Sequence, residues 1–392
     1  MKKNKLLIAI GTVLLIGIAS LLFYKTKVKL NSDGLIHIGA ILSLTGQTSY
    51  FGEETKDGIK AALALLKDEG VTNIVVHFED SAFSTKVGLT AFNRICCRKE
   101  LDGVIVAHSV IAQPIASLIS QTPEAEQARY PVVMTALAFS TALTKGNKVC
   151  VRCFPSGEDE GHAMANFIHN NMSNVCNKIV VVYPNDDYGI DASRAFARQF
   201  SDLGGSIIYN APYDAETINQ TSFAQKLIAY KPDGVYMIGA SPAFSNLLKA
   251  LRVSGFSNKI FAGAGMDVGN VRKAIGDSAV ADVIFTSVFS DSRELMNNER
   301  YCQYKEKLAN LGRRPTMLNV YTAIAFMSLY EVIRDMPSGS SIERASSFCG
   351  TKQRSILGDI WYDLERGIKA PLFIKRTVST DMDDDELICV MK

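Results

Sequence analysis

The side chains of this sequence that could do chemistry are hydroxyls and carboxylates in short loops, each at the carboxyl end of a predicted strand. Hydroxyls and helix N-termini can hold the carboxylate of a small solute, and an acidic residue can hold its ammonium group. Taken singly, each serine or threonine could instead cap a helix. Because such loops recur in both halves of the chain, the pattern predicts a solute-binding cleft, with candidates Ser43, Thr45, Ser109, Thr135, Ser140, Tyr188, Ser241 and Asp267.

Patterns that would indicate catalysis are weak or missing. The run Gly263-Ala264-Gly265-Met266-Asp267-Val268-Gly269 follows a predicted strand, but its spacing is one residue too long for a dinucleotide-binding fingerprint. The sequence contains no G-x-S-x-G, no Walker loop and no H-E-x-x-H. The five histidines are dispersed, and His162 and His169, at most, share a helix face. The sequence therefore predicts a protein that is not an enzyme, with no metal site and no cofactor.

Alternating strands and helices must position the candidate loops. The apolar, β-prone run 36–42 predicts a buried strand of a parallel sheet, and a polar loop over 43–52 leads to a helix over 53–69 that stops at Gly70. The same order of strands and helices starts again with a strand over 178–183. Two such series predict an α/β protein with two right-handed βαβ lobes, whose loops face each other across a cleft.

The closing portion of the chain is too short for a third domain, so we expect it to complete the two lobes. A strand is predicted over 283–289, and strands over 358–363 and 372–378 are predicted near the end. Helices are predicted between them. The acidic run 381–386 predicts a solvated turn.

The N-terminus carries an apolar run, 6–24, with lysines on both sides. At about 1.5 Å per residue this run is just long enough to cross a bilayer as a helix, and it is long for the apolar region of a cleaved signal peptide. We therefore predict that residues 1–30 form a membrane anchor, with a removed signal sequence as the alternative. Either reading places the rest of the chain outside the cytoplasm, in the periplasm or on the outer face of the membrane.

The amino-acid composition restricts the classes of partner that the chain can bind. Lys and Arg number 42 against 40 Asp and Glu, so no strong positive charge recruits nucleic acid. The body is long enough for two domains, and 47% hydrophobic residues suffice for two cores. Export would make disulfides possible for the eight cysteines. Their spacing shows no framework, so buried free thiols are the expectation, with one or two bridges left open.

Several segments together resemble a known family, the branched-chain amino-acid-binding (Leu/Ile/Val-type) group of type I periplasmic binding proteins. Members of this group are the solute receptors of ABC-type importers. The resemblance covers about residues 35–376, and it depends on the order and spacing of the segments more than on any one of them. These segments are 38–46 with Phe51-Gly52, His108-Ser109 ahead of Gln113-Pro114, Phe154-Pro155-Ser156 with Glu160-Gly161, 183–189, and 231–235.

The resemblance implies two lobes joined by three crossovers, near Cys153, Thr286 and Tyr362. It implies an N-terminal lobe of residues 31–153 plus 287–361 and a C-terminal lobe of residues 154–286 plus 362–392. It also implies that a small solute binds between the lobes, that the lobes close by a hinge motion, and that a membrane permease recognises the closed form.

The resemblance also implies roles for individual residues. Ser109 matches the family serine that holds the solute's carboxylate, and Tyr188 matches an aromatic residue of the second lobe that covers the ligand. Phe51 falls where a tyrosine is common, and Phe83 and His108 fall where some relatives have a disulfide.

Other positions depart from the family's pattern. Leu137 and Phe139, with Ser140 beside them, occupy the loop where amino-acid binders have a threonine. The acidic residue that grips an α-ammonium aligns near Gly265, two residues from Asp267. These departures favour a solute that is more apolar than an amino acid, or differently charged.

The leading hypothesis is a membrane-anchored extracytoplasmic receptor that feeds an ABC importer. It binds a small amino-acid-like solute, or another small polar or apolar solute, between its lobes. The alternative of a different class is a ligand-binding sensor subunit for a membrane signalling partner, which has to be another chain. A third class, an enzyme with a nucleotide cofactor, is the least favoured.

Overall fold

The computed structural model of the chain describes residues 34–46, 48–97, 101–291 and 295–391. The predicted anchor or signal sequence, residues 1–30, lies outside these ranges. Within them, no helix combines the length and the apolar character that a membrane crossing needs.

The first lobe is built on a five-stranded sheet in the order β2-β1-β3-β4-β5, and all four strand pairs are parallel. The first strand has the predicted bounds, and its residues 37–42 are all buried. Burial on both faces is typical of a parallel sheet that helices cover on both sides. The strands are β1 Ile36–Leu42, β2 Ile74–Asp80, β3 Leu101–Val106, β4 Val132–Thr135 and β5 Cys150–Arg152.

The second lobe is built on a seven-stranded sheet in the order β15-β14-β10-β9-β8-β6-β7. Five strands are parallel to one another, and the last two strands of the chain add to one edge in antiparallel fashion. The strands are β6 Lys178–Pro184, β7 Ser206–Tyr213, β8 Gly234–Met237, β9 Lys259–Ala262, β10 Val283–Ser287, β14 Leu372–Arg376 and β15 Glu386–Met391.

Helices connect the strands and cover the sheets. They are α1 Ser49–Asp68, α2 Thr85–Cys96, α3 Ser109–Ser120, α4 Gly157–Met172, α5 Asp187–Asp202, α6 Gln220–Ala229, α7 Pro242–Val253, α8 Gly269–Ile275, α9 Asp277–Val280, α10 Glu299–Ala309, α11 Met317–Asp335 and α12 Ser341–Ser346. Short 3₁₀ turns occur at Glu124–Arg129, Thr141–Leu143, Ala264–Asp267, Leu295–Asn297 and Met382–Asp384.

Helix α1 begins four residues earlier than its apolar periodicity predicts, which shortens the preceding loop and places Phe51 in the first turn. The close approach of Gly52 to that loop accounts for the early start. A Cβ at Gly52 would lie 2.0 Å from the backbone oxygen of Ser43, so only glycine lets the helix start against the end of β1.

The chain passes between the lobes three times. It leaves β5 for α4, leaves β10 for α10, which packs on α1, and leaves β13 for β14. A three-stranded antiparallel sheet lies beside the third crossing and consists of β11 Lys352–Ser355, β12 Gly358–Tyr362 and β13 Ile368–Lys369. Tyr362, the residue near which the third crossover is predicted, is the last residue of β12 in this sheet. The lobe boundaries at 153/154, 286/287 and 361/362 stay predictions.

The region of the third crossing is fastened to both lobes. The guanidinium of Arg366 donates to the backbone oxygens of Cys150 (2.9 Å) and Thr144 (3.1 Å) in the first lobe. The ammonium of Lys369 lies 2.8 Å from the carboxylate of Asp159, in the first turn of α4. These bonds tie the segment from Arg366 to Lys369 to elements of both lobes.

All eight cysteines are free thiols in the structure. Cys150, Cys153 and Cys176 are buried, whereas Cys97 is exposed and the other four are half-buried. Burial raises the pKa of the Cys150 and Cys153 thiols to about 12, so both remain protonated at neutral pH.

Candidate solute cleft between the lobes

The candidate residues follow the carboxyl ends of the strands in both sheets. In the first lobe Ser43 and Thr45 follow β1, Ser109 follows β3, and the loop 136–140 follows β4. In the second lobe Tyr188 follows β6, Ser241 follows β8 and Asp267 follows β9. Because neighbouring parallel strands end at the same edge of a sheet, these loops gather at one edge of each lobe.

The two edges meet at Phe139. Its ring stacks on the ring of Tyr188, with centroids 4.2 Å apart, and packs edge-on against Phe154 at 4.7 Å. Its backbone oxygen accepts a hydrogen bond from the Gly157 N–H (3.1 Å). The Ser140 hydroxyl donates to Asp191 in α5 (3.4 Å). The loop after β4 therefore reaches across the cleft and contacts the second lobe.

Ser109 is the first residue of α3, so its hydroxyl lies beside the free N–H groups of a helix N-terminus. The hydroxyl oxygen accepts a hydrogen bond from the Phe139 N–H (3.4 Å), and its proton is left for another acceptor. The side chain is half-buried. A hydroxyl donor at the positive end of a helix can bind a carboxylate.

Phe51 belongs to an aromatic group formed by Tyr50, Phe51, Phe83 and His108, which lie after β1, β2 and β3. Its ring stacks on Tyr50 (centroids 4.2 Å apart), and His108 packs against it at a steep angle (5.1 Å). His108 also contacts Phe83, at 5.4 Å. Phe83 and His108, the pair at the disulfide position of some relatives, are thus held together by ring packing.

The Tyr188 hydroxyl is hydrogen-bonded to a buried carboxylate that the sequence analysis did not single out. Glu160, in the first turn of α4, is 1% exposed and accepts hydrogen bonds from the hydroxyls of Tyr188 (2.9 Å) and Tyr236 (3.3 Å) and from the Ala264 N–H (2.9 Å). Burial raises the pKa of its carboxyl from 4.5 to about 7, against the lowering effect of these donors. The segment Glu160-Gly161 belongs to the family resemblance, but nothing in it shows that the carboxylate is buried.

Four of the predicted hydroxyls are engaged within their own lobes. The Ser43 hydroxyl is fully buried and lies 3.2 Å from that of Ser81. Thr45 donates to Asp80 (2.5 Å), and buried Thr135 donates to a backbone oxygen in β5 (3.4 Å). Ser241 caps α7 by accepting the Phe244 N–H (3.3 Å). These bonds hold the cleft loops in place, and a direct contact of these hydroxyls with the solute stays a prediction.

The loop after β9 has no free acidic group where an amino acid's ammonium would bind. Asp267 is 3% exposed, and its carboxylate accepts from the Ser287 hydroxyl and from the ammonium of Lys375 (3.4 Å). Gly265, where the family's acidic residue aligns, packs so closely that a Cβ would lie 1.9 Å from the backbone oxygen of Gly239. No larger residue fits there without a shift of the backbone.

The fold and the site define a class of protein: two α/β lobes, joined by three crossovers, with a solute cleft between their loops. The sequence profile of the periplasmic binding protein family matches residues 35–347. The chain belongs to this family, in its branched-chain amino-acid-binding, type I group. Proteins of this group are solute receptors, and the chain is not an enzyme.

Individual relatives agree with this assignment. A Leu/Ile/Val-binding protein homologue of Brucella melitensis is 24% identical over 319 residues, which cover 80% of each chain. A leucine-binding protein of Thermotoga maritima is similar in structure, with a TM-score of 0.79 at 20% identity, over 91% of this chain and 99% of that one. A solute-binding protein of a Rhodopseudomonas palustris ABC transporter was solved in complex with 4-hydroxybenzoate. It has a TM-score of 0.76 at 18% identity, over 91% of this chain and 97% of that one. The structural likeness shows the shared fold.

Proposed function

We propose that the chain is the extracytoplasmic solute-binding receptor of an ABC-type importer, and that it binds a small carboxylate-bearing solute between its lobes. The observation that carries the proposal is the position of the Ser109 hydroxyl. It lies at the N-terminus of α3 and is bonded to the Phe139 loop, which itself contacts Tyr188 of the opposite lobe. A carboxylate at Ser109 would therefore be enclosed when the lobes close.

The charges beside the cleft favour a solute without an α-ammonium group. Asp267 is already paired with Lys375, and Glu160 lies beneath Tyr188 with its oxygens occupied by three donors. A bound ammonium would need a buried carboxylate or comparable acceptors of its own, because an unpaired buried charge is costly. Neither of these two carboxylates is available for it.

The walls of the cleft favour an apolar or aromatic body for the solute. Phe51, Leu137 and Phe139 occupy positions where the resemblance leads one to expect hydroxyl-bearing side chains, and the Phe139 ring stacks on that of Tyr188. Flat rings stack well on an aromatic carboxylate. Two solute-binding proteins of this fold from Rhodopseudomonas palustris were solved with such ligands, 4-hydroxybenzoate and 3,4-dihydroxybenzoic acid, whereas one from Streptococcus pneumoniae was solved with isoleucine.

Isothermal titration calorimetry of residues 31–392 with benzoate, 4-hydroxybenzoate, leucine and isoleucine tests the proposal. We expect one-to-one binding of an aromatic carboxylate and weaker or no binding of the amino acids. Ser109→Ala should weaken binding at least tenfold, because a hydrogen bond to a charged group contributes about 1.5–3 kcal/mol. Ser120→Ala, which removes an exposed hydroxyl at the other end of α3, is the matched control and should bind as the wild type does.

Two results would contradict the proposal. Tight binding of leucine or isoleucine would refute the argument about the ammonium group. Equal affinity of Ser109→Ala and the wild type for every bound solute would refute the site.

The importer role has a test of its own, since the loaded receptor should stimulate ATP hydrolysis by its permease in proteoliposomes. A receptor that binds solute but gives no stimulation would favour a signalling partner.

A further inference from the structure

His108 is in an unusual state for a residue beside the candidate cleft. Its side chain is 8% exposed, and its Nε2 has no hydrogen-bond partner among the residues that the structure describes. Its backbone has φ 73° and ψ 136°, which is unfavourable for any residue other than glycine. Both an unsatisfied buried polar group and such a backbone conformation destabilise the folded state.

The ring of His108 and the hydroxyl of Ser109 lie on opposite sides of the β3 end. The His108 ring contacts Phe51 and Phe83, which follow β1 and β2, whereas the Ser109 oxygen is bonded to the loop after β4. The sheet order β2-β1-β3-β4 places these loops in a row. A ring-bearing solute whose carboxylate lies at Ser109 can therefore extend along the Phe51 ring towards His108.

The imidazole is uncharged at neutral pH. Burial lowers its pKa from 6.5 to about 4, since the apolar surroundings disfavour the imidazolium form. A neutral imidazole has one N–H donor and one acceptor nitrogen, and Nε2 takes either role according to the tautomer. A hydroxyl can donate or accept, so it suits both tautomers, whereas a carboxylate can only accept and an ammonium can only donate.

We propose that His108 determines the specificity of the cleft, its Nε2 forming a hydrogen bond with a ring hydroxyl of an aromatic carboxylate held at Ser109. The inference rests on the proposed function and narrows the solute class to hydroxylated aromatic acids. The hydroxyl supplies the partner that Nε2 lacks, and the buried ring of Phe51 shields the bond from water.

The test compares the affinities of 4-hydroxybenzoate and benzoate, measured by calorimetry. One neutral hydrogen bond should make 4-hydroxybenzoate bind the wild type about 3- to 10-fold more tightly. His108→Phe keeps a ring in the aromatic group and should reduce this ratio to about one, with the affinity for benzoate little changed. His108→Asn, which tolerates a positive φ and is too short to reach the hydroxyl, guards against misfolding of the first variant and should also reduce the ratio to about one.

Gln113→Leu is the matched control, because the Gln113 Oε1 is another buried polar atom that lacks a partner among the described residues. It lies in α3, outside the aromatic group. This variant should keep the wild-type ratio. Equal binding of the two acids by the wild type, or an unchanged ratio in both His108 variants, would overturn the inference and leave the receptor function intact. No binding of either acid at millimolar concentration would refute the proposed solute class, and the inference with it.

Discussion

Replacing Glu160 with glutamine should remove a large pH-dependent contribution to the stability of the protein. The carboxyl is buried beneath Tyr188, its donors are neutral, and its pKa rises from 4.5 to about 7. The native state therefore holds a proton that the unfolded chain releases between pH 4.5 and 7. The free energy of unfolding due to this group falls as the pH rises through that window, and it is constant above pH 7.

The size of the effect follows from the shift. One pKa unit corresponds to 1.36 kcal/mol, so a shift from 4.5 to about 7 gives about 3 kcal/mol in total. Glutamine can replace the carboxylate with little strain. Its oxygen can accept from the Ala264 N–H, and its amide can donate to the hydroxyls of Tyr188 and Tyr236, because a tyrosine hydroxyl both donates and accepts.

A single stability curve of the wild type would obscure the effect. The pKa of His108 is lowered from 6.5 to about 4, so its contribution to stability rises with pH over that window, in the opposite direction to that of Glu160. The informative quantity is the difference between the wild type and Glu160→Gln, in which His108 cancels. Urea unfolding at intervals from pH 4.5 to 8.5 measures it.

We expect the wild type to lose about 3 kcal/mol relative to Glu160→Gln between pH 4.5 and 7, with no further change up to pH 8.5. Two parallel curves would show that the carboxyl titrates at the same pH in the folded and unfolded states, and the reasoning from burial would then be wrong. A difference that grows in the opposite direction would mean that the three donors outweigh the burial.

Three further predictions concern other parts of the molecule. Asp385→Ala should lower the free energy of unfolding by about 3–5 kcal/mol, because it leaves the fully buried guanidinium of Arg272 without its carboxylate partner. Asp383→Ala, which removes an exposed ion pair, should lower it by less than about 1 kcal/mol. Urea unfolding measures both losses, and equal losses would contradict the argument from burial. Gly265→Ala should lower the midpoint of thermal unfolding, at a cost of about 1–3 kcal/mol, since its Cβ meets a backbone oxygen; an unchanged midpoint would show that the loop moves freely. Cys97 should be the first thiol labelled by a maleimide in the native protein, as peptide mass spectrometry can show, and faster labelling of any buried cysteine would contradict the structure.

The strand pattern of the two lobes could be predicted from local sequence. The run 36–42 is mostly apolar and β-prone, and the strand has the predicted bounds. The strand Lys178–Pro184 extends one residue beyond the prediction. A continuous apolar run is a sufficient signal here, because both faces of these strands are buried and almost every residue contributes to it.

The closing segments were predicted less completely, because their strands are not buried on both faces. The last strand, Glu386–Met391, lies at a sheet edge with Leu387, Ile388 and Val390 exposed. Its short apolar run, 387–391, does not by itself distinguish a strand from a piece of helix. The acidic run before it predicts a turn, and the structure has a 3₁₀ turn at Met382–Asp384. The edge strand became recognisable only through its pairing with β14.

The sequence by itself determined the order of strands and helices in the two βαβ series and which loops follow those strands, because these follow from local hydrophobic patterns and turn residues. Only the tertiary structure decided which of the candidate side chains are free. The donors to Glu160 come from residues 28, 76 and 104 positions away, and Lys375, which pairs with Asp267, lies 108 positions away. Burial, neutralisation and pKa depend on such distant neighbours, and no local pattern records them.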